Sequence, residues 1–335
     1  MRVSVVTALH GGLVRGGLEI QVEQTIDALT RKGVEVEVVS PLSSNLGEIA
    51  HFFGTFDSYW EVGKACLTRN IPYVCSPVFL PKHDGFALKF DRLERTIRGN
   101  YPRPSKKLYR TASRIVALTS VEESKLESYF GPGLPKVHQI PNGVDRRFFD
   151  AEPTEFRKAY QIDGPFVLHT GGFDERKNQL GVIRSLGSSN LPIVFLGRTV
   201  DEGYLKKCHA AAGPGVRFLG EVPYSSSLIP SALAAARVFC LPSWGEVLSL
   251  SALEAGVVGT PMVLGNGWGA QDHFCEYAEY VNPKSESEIR DAVERLWTSE
   301  ERREERSKYF QSRFTWDSVA DQLISVYESV LSGSR

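Results

Sequence analysis

Apolar residues recur along this chain in two alternating rhythms: short β-branched runs, and longer stretches at helical spacing. Residues 2–7 read as a first strand, and residues 19–29 place Ile20, Val22, Ile26 and Leu29 on one helical face. Gly33 stops that helix, and residues 34–39 return to strand. Further strands are expected at 49–53, 72–75, 115–119 and 136–140, with helices at 58–68, within 85–114 and at 121–130. Turn chemistry at Pro141-Asn-Gly-Val-Asp145 interrupts the series, and 146–163 reads as a polar connector. A second series then begins. Its strands are expected at 166–170, 192–196, 216–219, 236–241, 261–264 and 278–281, its helices at 179–186, 201–212, 225–235, 250–257 and 286–299. Repeated βα units imply a mostly parallel sheet with helices on both faces. The expected fold is therefore α/β, with two Rossmann-like doubly wound domains facing a cleft. A final amphipathic helix from Trp316 carries Val319, Leu323, Val326, Tyr327 and Val330 on its apolar side, after a charged stretch at 300–308.

Length and composition fit that picture. At 335 residues the chain has room for two domains, and 42% apolar with 24% charged residues is ordinary for a soluble globular protein. No apolar run reaches the roughly 18 residues of a membrane span, and the N-terminal apolar stretch reads as a buried strand, not a signal peptide. Cysteines 66, 75, 208, 240 and 275 are odd in number and form no CxxC pair, which disfavours a disulfide framework or zinc site and fits a reducing cytoplasm. The net charge of −1 hides an asymmetry. Residues 1–150 hold 20 Lys+Arg against 16 Asp+Glu, and residues 151–335 hold 19 against 24. Nine bases fall in 89–114 (Lys89, Arg92, Arg95, Arg98, Arg103, Lys106, Lys107, Arg110, Arg114) against Asp91 and Glu94. That segment reads either as a solvated helical face or as a contact for a polyanion or an anionic membrane surface.

The candidate chemistry is concentrated at loop-to-helix junctions. Glu246 and Glu254 straddle one such junction after the apolar strand at 236–241. Backbone N–H groups at a helix start can hold a phosphate, and carboxylates accept from sugar hydroxyls. Ser251-Ala-Leu-Glu254 also fits a capping box, in which Glu254 only satisfies helix donors. Gly16 and Gly17 lie between the first strand and first helix, yet Gly11 to Gly17 is not a GxGxxG fingerprint, so a nicotinamide cofactor is disfavoured. Arg176 and Lys177 follow a strand of the second series and suit the charge of a departing diphosphate. The chain has no Asp-X-Asp and no histidine pair at ligand spacing, so neither a metal nor another cofactor is expected.

Five segments in order resemble the retaining, family-four glycosyltransferases of the two-Rossmann-domain (GT-B) fold. They are Gly16-Gly-Leu-Glu19, Ile140-Pro-Asn-Gly-Val-Asp145, Gly171-Gly-Phe-Asp-Glu-Arg-Lys-Asn178, Phe218-Leu-Gly-Glu-Val222 and the pair Glu246 and Glu254. The resemblance implies an N-terminal acceptor domain over residues 1–150, joined by the C-terminal helix at 316–332, and a nucleotide-sugar donor domain over 151–312. It implies that Glu254 accepts the ribose hydroxyls, that Glu246 contacts the donor sugar, and that Arg176 and Lys177 hold the phosphates. Catalytic roles fall to Glu246, Arg176 and Lys177. Gly16, Gly17, Gly172, Val222, Ser249, Leu250 and Ser251 complete the donor site. The resemblance also identifies Gly267-Trp-Gly-Ala-Gln-Asp272 as a glycine-rich turn before a short helix.

Three departures stand out. Gly172 replaces an arginine usual in the family. Glu246-Val-Leu-Ser-Leu-Ser251 lacks the family's glycines and proline. Ser76-Pro77 stands where many relatives carry a histidine. The activity implied is retaining, metal-independent hexosyl transfer to a saccharide or to a lipid-linked or anionic glycan, in the cytoplasm or at the inner membrane face. Other readings stay open: a nucleotide-sugar epimerase, transfer onto modified DNA, or an inactive nucleotide-sugar-binding homologue.

Overall fold

The computed structural model describes residues 1–7, 16–80, 104–187, 189–267, 269–299 and 302–333. Contacts divide the chain into two compact units, one of Met1–Asn142 with Trp316–Arg335, the other of Gly143–Thr315.

The first unit contains β1 (Arg2–Val6), α1 (Gly17–Arg31), β2 (Glu35–Val38), β3 (Ile49–Phe53), α2 (Tyr59–Thr68) and β4 (Tyr73–Ser76). It continues with α3 (Pro104–Thr111), β5 (Arg114–Ala117), α4 (Ser120–Phe130) and β6 (Val137–Gln139). All strands pair in parallel, in the order β2-β1-β3-β4-β5-β6. Central strands of such a sheet are covered on both faces and so read as unbroken apolar runs. β3, Ile-Ala-His-Phe-Phe, is buried throughout, whereas no residue of the edge strand β2, Glu-Val-Glu-Val, is fully buried.

The second unit contains α5 (Thr154–Tyr160), β7 (Val167–Thr170), α6 (Gln179–Leu186), β8 (Ile193–Leu196), α7 (Glu202–Ala211), β9 (Val216–Phe218), α8 (Leu228–Ala235) and β10 (Val238–Leu241). After these come α9 (Leu250–Val258), β11 (Met262–Gly265), α10 (Ala270–Phe274), β12 (Ala278–Val281), α11 (Glu286–Thr298) and α12 (Arg303–Arg313). Its parallel sheet runs β12-β11-β10-β7-β8-β9, the doubly wound order of a Rossmann domain. β8 and β10 are buried end to end.

Two helices depart from the sequence reading. The connector at 146–163 holds α5, because Phe156 is fully buried beneath it. The charged stretch near 300–308 runs into α12, where Arg306 donates to the Gly259 carbonyl at 2.7 Å and Phe310 packs inward. The unit boundary also falls earlier than residue 150. The Val144 N–H donates to the Phe314 carbonyl at 2.9 Å, which ties residues 143–150 to the second unit.

The terminal helix α13 (Trp316–Gly333) packs on α1 in the first unit, burying Val319, Leu323, Val326, Tyr327 and Val330. Ion pairs from Arg31 to Asp317 at 2.9 Å and from Lys32 to Asp321 at 2.8 Å tie its exposed side to α1, and a buried polar contact ties its inner side. Fully buried His51 hydrogen-bonds Tyr327 Oη through Nδ1 at 2.6 Å and Ser76 Oγ through Nε2 at 2.8 Å. Burial lowers the His51 pKa to about 3, so the ring stays neutral. The unfolded chain takes up this proton below about pH 6.5 and the folded chain does not, so the contribution to stability is lost as pH falls from there toward 3. Tyr327→Phe leaves Nδ1 without a partner and is expected to cost about 1–3 kcal/mol, read as a lower midpoint in urea unfolding. An unchanged midpoint would mean that the Tyr327 hydroxyl adds nothing to the docking of the helix.

Candidate functional site

In the second sheet the chain order reverses between β7 and β10. In open α/β sheets, ligands bind at the carboxyl ends of the strands at such a point. The loops that leave β7 (171–178) and β10 (242–249) are bonded to each other. Asn178 Nδ2 donates to the Pro242 and Pro283 carbonyls at 3.0 and 2.9 Å, and the Trp244 N–H donates to the Arg176 carbonyl at 2.8 Å. Gln179 Nε2 donates to the Gly172 carbonyl at 2.9 Å. Beneath the first loop, buried His169 donates through Nε2 to the Lys177 carbonyl at 2.9 Å, since a carbonyl can only accept. Burial lowers its pKa to about 4.

These ties assemble a charged cluster. Arg176 and Lys177 lie in a 3-10 turn, Glu175–Lys177, where Asp174 Oδ1 accepts the Lys177 N–H. Both side chains reach Glu246 Oε1 at 2.7 Å, and Arg176 Nη1 also donates to the Gly245 carbonyl at 3.0 Å. The sequence placed the two cations on phosphate and Glu246 on sugar; in the structure they form one network. Burial works against the Glu246 charge, but Lys177 and Arg176 outweigh it and hold the carboxyl below its usual range. A cavity of about 30 Å³ opens beside it, lined by Val247, Leu248, Ser249, Asn266 and Gly267.

Glu254 has different surroundings. α9 begins after Ser249, whose Oγ accepts the Ala252 N–H at 3.3 Å. The cap is therefore Ser249 and not Ser251. Glu254 lies further into the helix, 4% exposed, with Oε1 lacking any hydrogen-bond partner. The capping-box reading fails on both counts. Burial raises the Glu254 pKa to about 7, although Tyr224 and Arg147 favour the charged form. Arg147 stacks at 4.3 Å on the Tyr224 ring and gives one bond to the Ser226 carbonyl, while Nε faces Asp145 Oδ2 only at 3.8 Å and Nη2 has no hydrogen-bond partner. Leaving such groups buried and unpaired costs free energy, which marks the cluster as a place where a polar ligand would be accommodated.

Sequence reasoning missed Arg147 and Tyr224. Arg147 stands two residues after Asp145 of the turn signature, and that adjacency was the available signal. Ser249, Leu250 and Ser251 open α9 on the same loop as Glu246, and Gly172 belongs to the β7 loop. Val222 is half-buried in the loop after β9, two residues before Tyr224. Gly16 and Gly17 are on the first unit at the start of α1, where Glu19 accepts the Gly16 N–H at 2.9 Å.

His10, His83 and residues 89–103 of the basic segment lie outside the described residues. In its described part Lys106 is buried, Arg110 donates to the Pro132 carbonyl and Arg114 to the Ser113 carbonyl. Lys107 and Arg110 at that end are exposed to solvent. Among the described residues no helix is long and apolar enough to cross a membrane.

Two parallel six-stranded α/β units, the second in Rossmann order, define the GT-B fold. The comparisons with known proteins agree. Residues 152–313 match the model of "Glycosyl transferases group 1", so the second unit belongs to that family. Sucrose-phosphate synthase from Thermosynechococcus elongatus superposes with a TM-score of 0.79 at 18% identity, covering 99% of this chain and 100% of that one. Anabaena HepE, solved in complex with UDP and glucose, gives a TM-score of 0.75 at 17% identity, covering 97% and 99%. D-inositol 3-phosphate glycosyltransferase of Paenarthrobacter aurescens is 25% identical over 241 residues, 66% of this chain and 59% of the relative. The chain thus spans about three fifths of that relative's length.

Proposed function

We propose that this protein is a retaining glycosyltransferase that moves a hexosyl group from a nucleotide-sugar to an acceptor hydroxyl. The acceptor is a saccharide or a lipid-linked or anionic glycan. The observation that carries the reading is Glu254, a buried carboxylate at the switch-point helix with an oxygen left unpaired. A carboxylate kept for structure would be satisfied. One kept for a ligand waits for two vicinal hydroxyls, and a ribose supplies them.

Arg176, Lys177 and the first amides of α9 then receive the diphosphate as negative charge grows on it, so no metal is required in this scheme. Glu246 orients the two cations and contacts the sugar. The departing phosphate oxygen takes the acceptor proton, so the protein need supply no nucleophile. HepE was solved with UDP and glucose, and the P. aurescens relative is named for a phosphorylated polyol. These support UDP as the first probe and an anionic acceptor as the first trial. Such a reaction belongs in the cytoplasm, where a basic face would serve an acceptor held at the inner membrane surface.

The test is a thermal-shift and calorimetric panel of UDP, GDP, ADP and TDP with their sugars, because a ligand of the folded state raises its melting point. One nucleotide should bind, and its sugar should be released onto an acceptor as a new glycoside. Binding also carries a pH signature. Hydroxyls donate to the ionised carboxylate, so affinity should be constant above the Glu254 pKa of about 7 and fall about tenfold per pH unit below it. Affinity independent of pH between 5.5 and 8 would remove Glu254 from the site.

A further inference from the structure

The cations assigned to the diphosphate are largely spent on each other's partner. Arg176 and Lys177 share the carboxylate of Glu246, and Arg176 also pairs with Asp174 at 3.8 Å, so the two cations are matched by two carboxylates and leave no net positive charge for a diphosphate. Gly172 adds none.

The loop after β8 lies directly over that glycine. A Cβ at Gly172 would stand 2.7 Å from Val200 Cγ2 and 3.9 Å from Arg198 Cγ. Backbone bonds clamp the two loops together. The Phe173 N–H donates to the Arg198 carbonyl at 2.9 Å, the Asp201 N–H to the Phe173 carbonyl at 3.0 Å, and the Gly171 N–H to the Leu196 carbonyl at 2.9 Å. Gly197 allows this approach, since a Cβ there would fall 1.9 Å from the Gly171 carbonyl oxygen. The adjacent glycines therefore each carry the stem of a base: Lys177 Cδ and Cε lie 3.3 Å from a Cβ built at Gly171, and Arg198 Cγ lies beside Gly172. Arg198 is half-buried, and its guanidinium makes no hydrogen bond or ion pair with any described residue. A guanidinium without a partner, on a stem that lies beside the switch-point loop, is suited to bind a phosphate.

We propose that Arg198 is the third cation of the donor site and binds the diphosphate directly, in place of a side chain at Gly172. This rests on the nucleotide-sugar reading above. The experiment titrates wild type and Arg198→Gln with UDP, GDP, ADP and TDP, and with the uncharged nucleoside of whichever binds. Arg198→Gln should weaken the diphosphate about 10- to 100-fold and leave the nucleoside unchanged. Arg198→Lys, which keeps the charge and the stem, should lose less. Gly172→Arg with Val200→Ala, placed in the Arg198→Gln background, should restore much of the affinity, because truncating Val200 clears the close contact. Wild-type binding with an Arg198→Gln affinity within twofold overturns this proposal alone. Wild type binding none of the four nucleotides overturns the donor reading and this proposal together. An Arg198→Gln protein with a lowered melting point and equal loss of nucleoside and diphosphate binding would assign Arg198 to structure, and would also overturn it.

Discussion

Glu254→Gln is expected to lose nucleotide binding and gain stability in the same protein. Glutamine has nearly the same shape but cannot offer a charged acceptor. Hydrogen bonds to a charged group contribute about 1.5–3 kcal/mol, so affinity for the preferred nucleoside diphosphate should fall roughly 10- to 150-fold. The loss should sit on the ribose. Wild type should discriminate against the 2′,3′-dideoxy nucleotide, and the variant should bind both alike. A variant that still prefers the ribonucleotide by the wild-type factor would show that another group reads the sugar.

The stability effect follows from the same burial. The folded state holds the Glu254 proton up to about pH 7, whereas an ordinary glutamate releases it near 4.5. Between these values the folded state binds more protons than the unfolded, so wild-type stability declines as pH rises and levels off above 7. Glutamine escapes that decline. Its advantage should be small at pH 4.5 and reach at most about 3 kcal/mol at pH 8, seen as a melting point several degrees higher. A single substitution that raises the melting point while abolishing binding separates ligand chemistry from folding.

Lys177→Met should have the largest effect on turnover. Methionine keeps most of the stem beside Gly171 but removes the ammonium that stands 2.7 Å from Glu246. Negative charge on the diphosphate grows as the glycosidic bond breaks, so a fixed cation stabilises the transition state more than the bound donor. Removing one such donor typically costs ~10²–10³ in kcat. Donor affinity, measured separately by calorimetry, should change much less. A kcat within threefold of wild type would leave Arg176 as the working cation and Lys177 as the holder of Glu246. Loss of the lysine also takes away the first of the two cations that hold the Glu246 carboxyl down, so any dependence of rate on Glu246 ionisation should move to higher pH.

Much of the architecture was legible because it is written in local periodicity. Short apolar runs such as Ile193–Leu196 and Val238–Leu241 read as central parallel strands, and the amphipathic pattern from Trp316 specified a helix with one buried face. The polar helices were less legible. α5 rests on one buried phenylalanine, and α12 buries Arg306 and Phe310 amid charges, so neither shows a repeating apolar stripe.

The residues of the candidate site could also be named from the sequence: Glu246, Glu254, Arg176 and Lys177 stand at loop-to-helix junctions, although Glu254 had a local reading as a capping residue as well. Their partners were not. Whether Glu254 caps a helix or keeps one oxygen without a partner depends on Ser249 taking the cap and on Tyr224 and Arg147 arriving from other segments. That Arg176 and Lys177 share Glu246, and that Arg198 lies over Gly172, follows from β7 being seated between β10 and β8. Periodicity is a property of neighbours along the chain and determines elements and their buried faces. Strand order is set by the burial of whole sheets, and it alone decides which distant loops bring their charges together.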